Sequence, residues 1–321
     1  MSRLITGLHH ITALASNPQK NIDFYAGVLG LRLVKKTINF DAPEVYHLYY
    51  GNERGEPGTI MTFFPYPEIP QGRKGKGQLT LTSFSIPESS IHYWMKRFSS
   101  FNVTYKEPEE RFDEIFIYFE DHDGLSLELV AGGMDERPGF TYGNIPQEFA
   151  IKGFYGMTLS EECSEKTASL LMGQLDHVLI AEMGNRFRYS TTGKPGNFVD
   201  VLCNPDALRG LSGYGTVHHV AFATANEKTQ NEGREKLLKI GLDVTPVLDR
   251  EYFRSIYFRE PGGVLFEIAT IPPGFTVDEP IECLGEALML PKWEEQNRTF
   301  IEKKLFPVQL NVEDFADDGY F

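Results

Sequence analysis

One short pattern recurs four times in the same order along this chain, and it confines the chain to a repeat architecture. GLHHITAL from Gly7, GQLTLTSF from Gly77, GFYGMTLS from Gly153 and TVHHVAFA after Gly215 all follow a glycine with an alternating or β-branched run. Each opens a longer unit, and the unit endings agree too. PGTIMTFF (57–64), HDGLSLEL (122–129), PGNFVDVL (195–202) and PGGVLFEI (261–268) set a glycine turn before a strand. The second and fourth units match further, as IYFEDHDGLSLEL and IYFREPGGVLFEI. Four weak matches in one order carry far more weight than any one of them.

Helical sequence lies between the opening and closing strands. NPQKNIDFYAGVLG puts Ile22, Tyr25 and Leu29 on one stripe and ends at Gly30. ANEKTQNEGREKLLKIG has a polar first half, an apolar patch at Leu237, Leu238 and Ile240, and a terminal glycine. The unit is thus strand, helix, then two or three strands, and four units cover roughly residues 5–275. GGMDERPGFTYGNIP, rich in glycine and proline, predicts a hinge between two halves. Beyond residue 275 lies a tail with a helix predicted around PKWEEQNRTFIEKKL, expected to pack over the second half.

Composition narrows the class. A length of 321 residues, 41% apolar and 24% charged, is ordinary for a water-exposed globular chain. No run of 18 apolar residues and no long apolar leader is present, so neither a membrane span nor export is expected. Cys163, Cys203 and Cys283 are an odd, widely spaced set. They argue against a disulfide framework or a thiolate zinc site, read as core residues, and suit a cytoplasmic home. The net charge of −14 opposes nonspecific binding to nucleic acid or anionic membrane. A homo-oligomer is left open.

The histidine pairs carry the chemistry. The glycine register aligns His10 with Thr80, Gly156 and His219, and His9 with His218. On a strand, neighbours point to opposite faces, so only one histidine of each pair can face a given site. On the closing strands, Glu267 lies within VLFEIA, where a carboxylate is costly to bury unless paired or coordinated. Glu128 matches it in the second unit, with Phe63 and Val201 read at that place in the first and third. Only the fourth unit holds both His219 and Glu267, and His10 from the first completes two histidines and one carboxylate. That is the facial-triad composition, which leaves positions on Fe(II) open for substrate and oxygen. Ligand count therefore predicts that the first and fourth units meet in space, although chain adjacency would pair first with second. His177 falls outside the register and reads as structural, and His47, His92 and His122 carry no ligand signal. Phe63, Phe198, Phe253 and Phe266 could supply apolar surface, but sequence does not say which of them meet a pocket.

GLHHIT, FYAGVLGLRLVKKTINFD, VYHLYYGN, GEPGTIMTFFP, VHHVAFA, LDVTPVLDREYFRSIYFREPGGVLFEIAT and PPGF together resemble the vicinal-oxygen-chelate superfamily. They resemble most its ring-cleaving dioxygenases of the hydroquinone type, across most of the chain and weakly in the third unit. The resemblance implies an α+β fold: four βαβββ modules in two domains, each a paired-module curved mixed sheet, with a C-terminal helical tail. The expected division is 1–135, 150–275 and a tail over 276–321. It implies Fe(II) held by His10, His219 and Glu267, with catalytic or supporting roles for Tyr257, Arg250, His9 and His218. It also implies O2 and a small hydroxylated aromatic as reactants, since O2 reacts poorly with a closed-shell phenol without a metal. The same fold serves glyoxalase-like isomerases, thiol transferases and non-catalytic drug-binding proteins. An isomerase would want a second carboxylate, for which Glu128 is the one repeat-equivalent candidate.

Overall fold

The computed structural model describes residues 3–132 and 135–317, so Gly133 and Met134 of the expected hinge lie outside the described residues. The first module runs through β1 (Gly7–Ala15), α1 (Pro18–Ile22) with a π-helical turn over Asp23–Val28, β2 (Arg32–Asn39), β3 (Ala42–Gly51) and β4 (Ile60–Pro65). The second comprises β5 (Gln78–Ser85), α2 (Ile91–Ser100), β6 (Glu109–Arg111), β7 (Glu114–Glu120) and β8 (Ser126–Ala131). The third comprises β9 (Gly153–Glu161), α3 (Glu165–Gln174), β10 (Val178–Met183), β11 (Arg186–Ser190) and β12 (Phe198–Cys203). The fourth comprises β13 (Thr216–Thr224), α4 (Glu227–Lys239), β14 (Leu248–Asp249), β15 (Arg254–Arg259) and β16 (Leu265–Thr270). The βαβββ unit therefore holds in all four copies.

The modules assemble into two curved, eight-stranded mixed sheets. One has the order β14-β15-β16-β13-β1-β4-β3-β2 and the other β10-β11-β12-β9-β5-β8-β7-β6. The first module thus joins the fourth, through antiparallel pairing of β1 with β13, and the second joins the third through β5 and β9. Segments 1–135 and 150–275 each give one module to each sheet. Within every module the opening strand pairs in parallel with the closing strand, a connection that needs a crossover. The intervening helix supplies it.

Strand pairing also corrects the register. Thr12 pairs with Thr62, Ser83 with Glu128, Thr158 with Asp200 and Ala221 with Glu267. The position equivalent to Glu267 is therefore Thr62 in the first module and Asp200 in the third, not Phe63 and Val201. Two residues back on the opening strands, Leu81 rather than Thr80 matches His10 and His219. The anchor is a glycine four residues before each closing position: Gly58, Gly124, Gly196 and Gly263, all at positive φ between 79° and 107°. The left-handed turn fixes which residue faces inward, whereas matching by side-chain type slips by one.

Asn17 caps α1 by accepting the Lys20 N–H at 3.0 Å, and Ile22, Tyr25 and Leu29 are buried as the stripe predicts. In α4 only Leu237 of the expected apolar patch is buried, while Leu238 and Ile240 face out near the helix end. Cys163 and Cys283 are exposed and Cys203 half-buried, so none sits in the core; Cys163 lies in the loop after β9, Cys203 ends β12 and Cys283 is in the tail. The tail helix α5 is short, Arg298–Lys304. The tail packs mainly against the first module rather than the second half: Arg32 donates to the Ile281 carbonyl, and Lys35 is buried against Asp278, Glu279 and the Tyr252 ring. A buried ammonium needs compensating anions, and the tail provides them.

Candidate metal centre

β16, β13 and β1 are neighbours in the first sheet, and this order brings three polar side chains together. Ala221 on β13 faces Glu267 on one side and His10 on the other. His219 shares its face with Ala221, two residues away. Because Ala221 is small, the two flanking side chains can lean over it toward His219. His10 Nε2 lies 3.2 Å from His219 Nε2 and 3.2 Å from Glu267 Oε2, while His219 Nε2 lies 3.0 Å from the same oxygen. All three residues are buried. They form the one group of three or more metal-capable side chains among the described residues.

The near-equilateral triangle fits a metal. Three donors on one face of an octahedron, each about 2.1–2.2 Å from the ion, are about 3.0–3.1 Å apart. Glu267 Oε2 is buried without a hydrogen-bond donor, whereas Oε1 is held by the Ser255 hydroxyl. Two imidazoles and one carboxylate on a single face are the donor set of non-haem Fe(II) oxygenases. Electrostatics agrees with this use. Burial alone would push the Glu267 carboxyl up, but His10 and His219 outweigh it and hold it well below the usual carboxylate range. Burial lowers the His219 imidazole, keeping its lone pair available despite the adjacent carboxylate.

The other histidine of each pair supports its partner. His9 Nδ1 lies 2.9 Å from His10 Nδ1, and His218 Nδ1 lies 2.7 Å from His219 Nδ1. Ideal strand geometry would turn each pair apart; β1 departs from it, with a register shift between Leu8 and His10. Each inward imidazole thus offers Nε2 to the triangle and Nδ1 to its neighbour, the arrangement that fixes ring orientation and tautomer in metal sites. His9 is buried and hydrogen bonded to the Thr270 backbone, and Phe253 packs on both His9 and His10 with centroids at 5.0 Å.

A cavity of about 400 Å³ opens onto His10 and His219. Tyr257 and Arg250 line it; Arg250 Nε donates to the Tyr257 hydroxyl at 3.2 Å, and the Tyr257 ring stands edge-on to His219 at 5.8 Å. Burial and the nearby Glu267 charge raise the Tyr257 phenol, with Arg250 opposing them, so it stays a neutral donor. His218 and Phe253 also face the cavity, whereas Phe63 and Phe266 are core and Phe198 packs in the other sheet.

His47, which carries no ligand signal in sequence, lies in this cavity wall. Its Nε2 is 2.9 Å from the Thr62 hydroxyl and its Nδ1 2.8 Å from the Tyr49 hydroxyl, and burial holds it well below the ordinary imidazole range. Thr62 is the first module's counterpart of Glu267 and also meets the Thr12 hydroxyl at 2.8 Å. A hydroxyl, not a second acid, therefore stands where a four-ligand site would close. The glycine spacing Gly58–Thr62 holds this signal. Glu128 supplies no second acid either: it lies on the other sheet, gripped by the two terminal Arg111 nitrogens at 2.9 and 2.7 Å and by Ser83. Asp200 is similarly bound by Arg186 and Arg188. His177, buried with Nδ1 2.6 Å from the Leu175 carbonyl, has a structural place.

A sequence profile of the Glyoxalase/Bleomycin resistance protein/Dioxygenase superfamily matches residues 7–129. Over 97% of its length the chain is 47% identical to 99% of the Bacillus subtilis protein named "Putative ring-cleaving dioxygenase MhqO". It is 36% identical to the chlorohydroquinone/hydroquinone 1,2-dioxygenase of Sphingobium indicum, covering 90% of this chain and 93% of that one. A crystal structure described as a "putative dioxygenase from Bacillus subtilis" superposes with a TM-score of 0.92 at 47% identity, over 96% of this chain and 99% of that one. Maize glyoxalase I shares the fold, with a TM-score of 0.61 at 13% identity, over 82% of this chain and 92% of that one.

Proposed function

The chain belongs to the ring-cleaving dioxygenases of the glyoxalase/bleomycin resistance protein/dioxygenase superfamily, and from that premise we propose that it opens hydroquinone-like aromatics with Fe(II) and O2. The observation that carries this reading is the triangle of His10, His219 and Glu267 donor atoms, 3.0–3.2 Å apart, with both histidines opening onto a cavity. These three would hold the iron, and the bound metal supplies the electron transfer that lets O2 react with a phenol. Cleaving the bond between a hydroxylated ring carbon and its unsubstituted neighbour turns the first into a carboxyl and the second into an aldehyde, each gaining one oxygen atom. Substrate and product thus differ by one O2.

The chain's own side chains have the remaining tasks. Ser255 holds one oxygen of Glu267 and leaves the other for the metal. His9 and His218 orient the ligand imidazoles through their Nδ1 contacts. Tyr257, kept protonated, donates its hydroxyl proton into the cavity, toward substrate or oxygen. Arg250 sets the direction of that phenol and presents positive charge to a phenolate. The aromatic wall of Phe64, Tyr49 and Phe253 excludes water and packs on a flat ring. An isomerase needing a second carboxylate is disfavoured because Thr62 stands at the vacant module position and Glu128 is bound on the other sheet. A cytoplasmic location remains part of this proposal; among the described residues, no helix is long and apolar enough to cross a membrane.

Anaerobic loading with Fe(II), followed by oxygen-electrode assays on hydroquinones and catechols, tests the proposal. One O2 consumed per ring opened is expected. Full iron occupancy with no substrate-dependent uptake across the panel would defeat it.

A further inference from the structure

Beside the metal cavity lies a second one, of about 270 Å³, and the two share His218 and Leu265 in their walls. They follow one another along the same strand faces. Val217 lines the second cavity and His219 the first on β13; Arg259 lines the second and Tyr257 the first on β15. Two residues along a strand advance about 6–7 Å, similar to the span of an extended six-carbon acid. Arg259 therefore lies about one short molecule along β15 from Tyr257.

Its charge is the reverse of the chain's. Lys76, Arg209 and Arg259 line it, and no aspartate or glutamate does, within a chain of net charge −14. The cations come from three segments. Lys76 belongs to the basic run QGRKGKG linking the first two modules, Arg209 to the linker between the last two, and Arg259 to the end of β15. The two linkers pair with each other, Lys76 bridging to Arg209, which brings their charges to one place. Lys76 donates to the Pro205 carbonyl and lies 3.8 Å from an exposed Glu162. Among the described residues, Arg259 donates to the Gly263 carbonyl alone, at 2.9 Å. Among the described residues, neither Arg209 nor Arg259 has a carboxylate partner, whereas Arg111, Arg186 and Arg188 of the other sheet are all paired with acids. Arg209 and Arg259 are exposed at the cavity wall without anions, and a guanidinium there suits a carboxylate ligand.

We propose that this cavity is a carboxylate-binding subsite that receives the acid end of the ring-opened product as it leaves the metal cavity. The inference rests on the ring-cleaving reading, because cleavage creates a carboxylate from a neutral phenol. A neutral substrate has no purchase on Arg209 and Arg259, but its product does. The field of the pair thus favours the reacted form at the exit and leaves entry of the substrate unassisted.

The test uses the full chain without metal, so that binding is read independently of turnover. Muconate, a six-carbon ring-opened dicarboxylate, is titrated calorimetrically into the unaltered protein, the Arg209→Ala/Arg259→Ala variant and the Arg209→Lys/Arg259→Lys variant. Saturable binding is expected, weakened about tenfold or more by alanine and largely kept by lysine, with affinity falling as salt rises. No saturable binding, or equal affinity in the alanine variant with an unchanged thermal midpoint, would overturn the subsite. A parallel arm offers 2,5-dihydroxybenzoate to the iron-loaded protein. Arginine-dependent KM for that aromatic acid, with no muconate binding, would assign the subsite to substrate and overturn the product reading. Arginine-dependent muconate binding without oxygen uptake on any diphenol would support the subsite while defeating the proposed function.

Discussion

Glu267 is the residue whose cost demands an explanation. It sits fully buried in an apolar strand, with one oxygen satisfied by Ser255 and the other facing two imidazoles. Replacing it with glutamine keeps the volume and removes the charge. Glu267→Gln is expected to lose bound iron and at least about a hundredfold in kcat/KM, read by metal analysis and oxygen uptake. Ser255→Ala acts one step away: the carboxylate stays but its direction is freed, so iron affinity should fall about tenfold to a hundredfold. Tyr257→Phe should keep iron content unchanged and lower kcat about tenfold or more if the phenol donates a proton during the reaction. Equal kcat in that variant would reduce Tyr257 to a packing residue. The histidine pairs were legible as two lone repeats of HH; which nitrogen of which ring faces the cavity was not, because that depends on a strand irregularity near His10.

At the scale of elements, the closing turns set the inward register. A glycine at positive φ stands four residues before Thr62, Glu128, Asp200 and Glu267 alike. Comparing side-chain types misplaces two of these four positions, since a left-handed turn is a backbone property that leaves only a glycine in the sequence. The ends of β9 and β15 carry a different consequence. Glu161, buried against Glu260 and linked to it through the Thr167 hydroxyl, is pushed up to about 8 by burial and by its acidic neighbour. A raised carboxyl binds a proton in the folded chain that the unfolded chain has released above about 4.5. Its stabilising contribution is therefore complete below that pH and is lost as pH rises through about 8. Glu161→Gln, which stays neutral, should melt about 2–4 °C higher than the unaltered protein at pH 8.5, with the gap closing at pH 5. On β2, Lys35→Ala would leave the tail's Glu279 buried without its cation, and a loss of about 3 kcal/mol in chemical denaturation is expected.

The whole molecule holds two module pairs, and among the described residues only one of them brings together a metal-capable triad. In the sheet of the second and third modules, Leu81 and Gly156 occupy the histidine positions, while arginines take up Glu128 and Asp200. Metal analysis of the loaded protein should accordingly find one iron per chain, and His10→Ala none. A second equivalent of tightly held iron would contradict the arginine-filled sheet. The repeat, its strand–helix–strand order, the acidic composition and the three ligand types are all local or countable, and sequence alone determined them. So, by ligand count, did the meeting of the first and fourth modules. The tertiary structure decided the rest: that Ala221 lets the ligands converge, that Thr62 leaves the fourth place without an acid, that His47 reaches the cavity, and that the tail compensates Lys35 in the first module. These depend on which strands pair and in what register, and pairing energies are summed over contacts hundreds of residues apart, which no local pattern encodes.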